Sequence, residues 1–209
     1  MITINKNSLR NSALLLIFLL SGCSLFLTPR VYTQLESLRA GQYRLDPSHT
    51  SVLFKVQHMQ LSTFVGRFNQ MDATLDFDPA KLRDTNLQAS VLTNSVDVNN
   101  EGLRKDLQGS SWFNSEQFPE ARLSTISVEP LQQPNQFLFN AELTMLGVTK
   151  PIHLTATFHG GANNLLTGYY TLGFSAKGSL LRSDFGMDSY IPLVGNEVAI
   201  EIFAEFQKL

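Results

Sequence analysis

From Tyr43 to Phe206, apolar side chains recur at every second position in one short stretch after another, a period that confines the chain to strands with one buried face. In Ser51 to His58, Val52, Phe54, Val56 and His58 share one face while Ser51, Lys55 and Gln57 share the other. Met71, Ala73, Leu75 and Phe77 oppose Asp72 and Asp76 until Asp78-Pro79 ends the run. The alternation returns at Leu87 to Thr93, Leu123 to Val128, Phe137 to Met145, Ile152 to Phe158, Tyr170 to Ala176 and Val198 to Phe206. Short strands separated by turn residues, about eight in all, describe an all-β sandwich or barrel. One helix interrupts them between Asn99 and Gln108, capped by Asn99 or Asn100 and stopped by Gly109.

A chain of 209 residues with this pattern builds one substantial core, and the folded domain is expected over residues 42–209. Charged residues make up 16% and the formal net charge is -2, so the basic field that nucleic acid requires is missing.

The first forty residues follow other rules. Lys6 and Arg10 precede the apolar run Ala13 to Leu20, the shape of a signal peptide, and the run is too short to span a bilayer. Leu20-Ser21-Gly22-Cys23 resembles the lipobox of bacterial lipoproteins, in which the cysteine is acylated after cleavage. Residues 1–22 are thus expected to be a signal peptide, Cys23 a lipidated residue, and 23–41 a tether. Several acyl chains hold a protein on a membrane where a single chain holds it marginally. By the same resemblance, Ser24 after the cysteine implies an outer-membrane anchor facing the periplasm. Cys23 is the only cysteine, so no intramolecular disulfide can form.

Ordered blocks of the mature chain resemble the YceI-like proteins: Tyr43-Arg44-Leu45-Asp46-Pro47-Ser48-His49, Phe54 to His58, Gly66-Arg67-Phe68, Asn94-Ser95-Val96-Asp97, Trp112-Phe113 with Phe118-Pro119, Leu143 to Pro151, and Arg182-Ser183-Asp184-Phe185-Gly186. The resemblance covers about residues 43 to 206. It implies a single extended antiparallel eight-stranded lipocalin-like barrel that binds a polyisoprenoid or other long-chain lipid inside, and it permits homodimers; no cofactor is expected. The family often carries a histidine where this chain reads Lys105-Asp106-Leu107, so a role for that histidine does not transfer.

An eight-stranded barrel is just wide enough to be filled by its own side chains or to hold one small ligand, and alternation leaves both open. If it is hollow, Phe54, Val56, His58, Phe68, Phe139, Phe174 and Ile200 are the expected ligand-lining residues, with a charged headgroup kept near the mouth. A plugged barrel serves an interaction or stress-protective role instead. A hydrolase of lipid-like substrates is the third reading and needs Asp46, His49 or His58 to meet in the fold. Metal binding is not expected, because His49, His58, His153 and His159 show no close ligand spacing. Arg182 and Asp184 are expected to pair across a turn.

Overall fold

The computed structural model describes residues 29–209, so the signal-peptide and Cys23 expectations lie outside the described residues. Eleven strands form one sheet: β1 (Gly41–Leu45), β2 (Ser51–His58), β3 (Ser62–Phe68), β4 (Met71–Phe77), β5 (Asn86–Leu92), β6 (Val96–Asp97), β7 (Glu120–Pro130), β8 (Gln136–Met145), β9 (Val148–Asn163), β10 (Tyr170–Leu181) and β11 (Val194–Lys208). Three pairs of these are single strands broken by a bend. β11 pairs with β1 through Leu45↔Phe206 and with β2 through Val52↔Ile202. β1 and β2 in turn pair with β4 and β3, and these pair with β5 and β6. The result is eight antiparallel staves in chain order, closed by the first on the last, an up-and-down barrel with no open edge around its ring.

Each break resets which parity faces inward. Tyr43 and Leu45 point in before the turn at Pro47–His49, and Val52, Phe54 and Val56 point in after it. A register shift between Thr125 and Ser127 does the same in β7, so that Leu123 and Val128 both face the interior. The one α-helix among the described residues, α1 (Glu101–Gln108), starts where the Asn100 side chain accepts a hydrogen bond from the Leu103 amide at 2.9 Å. Its Leu107 is buried with Phe68, Phe113, Phe185 and Met187 at one end of the barrel.

The segment expected as a tether is docked over much of its described length. Tyr32 and Gly161 exchange two backbone hydrogen bonds of 2.8 Å, and Leu38 is buried at the opposite end of the barrel from α1. The strand continues through Gly160-Gly161 instead of ending there, because glycine lets the N-terminal segment lie on the sheet. A Cβ on Gly160 would stand 2.3 Å from the Val31 side chain.

Candidate ligand-binding lumen

Inward side chains of the middle staves, among them Val52, Phe54, Leu123, Phe139, Phe174 and Ile200, are only half-buried although the sheet closes around them. What they face is a cavity of about 1320 Å³. That exceeds the usual range of small-molecule pockets, about 300–1,000 Å³. The barrel is hollow, and the plugged-barrel reading is thereby corrected.

The two ends differ. At one, Tyr43, Leu75, Phe77, Phe137, Leu172 and Phe206 pack into a solid floor, with the Tyr43 hydroxyl donating to the Arg39 carbonyl at 2.5 Å. Burial pushes the Tyr43 hydroxyl well above the usual tyrosine range, with the neighbouring Tyr170 adding to it. At the other end the lining continues onto exposed residues: Met59, Tyr190 and Leu193, with Tyr190 68% exposed. This mouth lies between the β2–β3 turn and the β10–β11 loop, which are joined by the Met59 amide donating to the Leu193 carbonyl at 2.6 Å. Lys105, Asp106, Ser110, Ser111 and Ser189 give this end polar lining, while Thr50, Asp72, Thr85 and Ser90 are polar positions elsewhere in the wall. The interior below it is lined mainly by hydrocarbon.

The structure places all seven expected lining residues, Phe54, Val56, His58, Phe68, Phe139, Phe174 and Ile200, in the cavity wall. His58 is exposed at the mouth, whereas Phe68 is buried and packs edge-on against Phe113 at 5.4 Å. Trp112, Tyr190 and Arg182 also line the cavity, and sequence reasoning missed them as a group because no period links residues on two irregular loops, one after α1 and one between β10 and β11.

Arg182 is not paired with Asp184. It is 2% exposed, and its guanidinium donates to the carbonyls of Met187 (2.7 Å), Gly195 (2.8 Å), Ser189 (2.9 Å) and Val194 (2.9 Å). Trp112 covers it at 5.2 Å and stacks in turn on Tyr190. Burial lowers the guanidinium's affinity for its proton, with the Asp188 charge opposing. One planar fork with five donors thus fastens the whole β10–β11 loop at the mouth.

Asp46 and His49 do meet, with Glu205 beside them, three groups whose ligand atoms lie within 4.8 Å of one another. Spacing along the chain could not show this, since Glu205 arrives from β11. Asp46 accepts from His49 Nδ1 (2.9 Å), Gln207 Nε2 (2.5 Å) and the Ser48 amide (3.0 Å). The His49 bond, aided by Ser48 and Gln207 and opposed by burial, holds the Asp46 carboxyl below its usual range, and it raises the His49 imidazole above its own. With its acceptor sites filled by protein donors, Asp46 fastens the bend between β1 and β2. His58 stands at the far end of β2, about 25 Å away at 3.3 Å per residue. Of the three residues named for the hydrolase reading, Asp46 and His49 therefore meet, and His58 does not join them.

These features define a class: a closed up-and-down β-barrel built around an apolar cavity that opens at one end. The family follows from the sequence match, since a YceI-like domain is matched over residues 43–206 and the chain belongs to that family. It is 30% identical to the YceI protein of Salmonella newport over 168 residues, 79% of this chain and 86% of that one. The crystal structure of the Campylobacter jejuni YceI protein is similar at a TM-score of 0.64 and 28% identity, over 74% of this chain and 91% of that one. A polyisoprenoid binding domain from Saccharophagus degradans shares the fold at a TM-score of 0.61 and 12% identity, over 82% of this chain and all of that one (100%).

Proposed function

We propose that the barrel is a binding protein that holds or shuttles a long apolar chain, such as a polyisoprenoid, an isoprenoid quinone or a fatty acyl group, within its lumen. The observation that carries this reading is the hollow of about 1320 Å³ walled by Val, Ile, Leu and Phe and open at one polar-rimmed mouth. The Saccharophagus domain of the same fold, described as polyisoprenoid binding, supports it. In this reading Phe54, Val56, His58, Phe68, Phe139, Phe174 and Ile200 contact the guest, with His58 nearest its head. Acylation of Cys23 holds the protein on the periplasmic face of the outer membrane.

Transfer of a methylene from water into such a wall yields about 0.8 kcal/mol, or about a fourfold gain in affinity. A titration with saturated or isoprenoid alcohols of increasing length tests the reading. Kd is expected to fall by about fourfold per added methylene at first and to level off once the lumen is full. Affinity independent of length would count against the lumen as the site.

A further inference from the structure

The floor of the barrel carries a surface pattern of its own. Among the described residues, four cations sit over tyrosine rings there: Arg30 over Tyr32 (5.3 Å), Arg39 over Tyr170 (4.4 Å), Arg44 over Tyr169 (5.9 Å) and Lys208 over Tyr43 (5.4 Å). Glu36 is the acidic residue within Pro29 to Leu45, against three arginines. Beside this belt the β9–β10 loop presents Leu165 and Leu166, the latter 94% exposed. The loop is built to hold them outward: Asn164 Oδ1 accepts from the Leu166 and Thr167 amides, and the Asn164 amide donates to the Tyr169 carbonyl at 2.8 Å. Val31, also exposed, adjoins the same corner through the pairing of Tyr32 with Gly161.

Leucines at a loop tip, the accessible rings of Tyr32 and Tyr169 behind them, and Arg30 and Arg44 on those rings match the layers of a bilayer surface: hydrocarbon, headgroup boundary and phosphate. Tyr43 and Tyr170, by contrast, belong to the buried floor. Cationic side chains at such a boundary are attracted to anionic lipids. The described chain also begins at this end, and in the sequence the apolar run and Cys23 come before it. We infer that the closed end of the barrel is seated on an anionic lipid surface, with the mouth opening away from that bilayer. This rests on the membrane attachment proposed above and not on the identity of the guest.

Reach agrees with the placement. The span from Cys23 to Tyr32 extends to about 30 Å at most. The staves, by contrast, rise about 40 Å for a strand the length of β9 at the usual tilt. An anchor at Cys23 therefore keeps the floor close to the membrane and cannot bring an upright mouth down to it.

The only tryptophan of the chain, Trp112, marks the mouth, and Leu166→Trp adds a second reporter at the floor. The full chain is mixed with phosphatidylcholine vesicles, with or without phosphatidylglycerol, whose chains carry bromine as a quencher. The native protein is expected to keep its emission, and L166W to lose about half of its own. Arg30→Glu with Arg44→Glu, or 0.5 M salt acting on the unaltered chain, is expected to weaken partition into the phosphatidylglycerol vesicles at least tenfold. Trp112 quenching that survives removal of the vesicles by centrifugation reports a guest in the lumen and leaves L166W to decide the orientation. Quenching of Trp112 that disappears with the vesicles, no added quenching in L166W, or indifference to phosphatidylglycerol would each overturn the inference.

Discussion

Ala89→Phe together with Ala176→Phe is expected to weaken long-chain lipid binding by roughly 200-fold while leaving the melting temperature of the empty protein unchanged or raised. Both alanines line the cavity from different staves, β5 and β10. Two rings placed there take room from the guest. Excluding the equivalent of four methylenes removes about 3 kcal/mol of transfer free energy, which converts to that change in Kd. The stability half of the result separates a hollow barrel from a filled one. Adding rings to a filled interior costs about 1–3 kcal/mol through overpacking, whereas adding them to empty space gains contacts. Isothermal titration and thermal melting of the same double variant read both halves.

The second large effect lies at the mouth. Arg182→Met is expected to cost about 4 kcal/mol and to lower the melting temperature by about 8–16 °C for a domain of this size. The methionine fills much of the same volume, but the carbonyls of Met187, Ser189, Val194 and Gly195 lose their common donor. Arg182→Lys should recover less than half of the loss, because an ammonium keeps the charge without the planar fork that reaches four acceptors. Hydrogen exchange across residues 182–195 is expected to accelerate in both variants before the rest of the barrel is affected. Equal stability of the lysine variant and the native protein would show that charge alone holds the loop.

The difference between a readable and an unreadable feature is physical, and particular residues show it. The period of two located most of the staves because burial of one face is imposed on every turn of the pleat. β3 was missed as a strand because the inward position between Phe64 and Phe68 is Gly66, which carries no side chain to mark the period. The fold explains the glycine: a Cβ there would stand 2.2 Å from the Phe54 ring, which leans into that space. Arg182 looked like half of an ion pair because Asp184 is near in sequence, yet four carbonyls, two from the following loop and two from the start of β11, solvate it better than one surface carboxylate. Tyr32, Leu35 and Leu38 had no period to read, since they dock singly on the floor. The cavity itself was not legible at all. Inward hydrophobic residues alternate in the same way whether they touch one another across a barrel or leave a hollow, and only the half-buried state of Val52, Phe54 and Phe174 distinguishes the two.

The most direct test of a lipid-filled lumen is native mass spectrometry of the protein purified from cells, under conditions that keep noncovalent adducts. A bound species with the mass of one long-chain lipid, displaced in the Ala89→Phe, Ala176→Phe double variant, is the expected result. A bare polypeptide mass in repeated preparations, with no adduct formed when isoprenoid or fatty acyl lipids are then supplied, would contradict it.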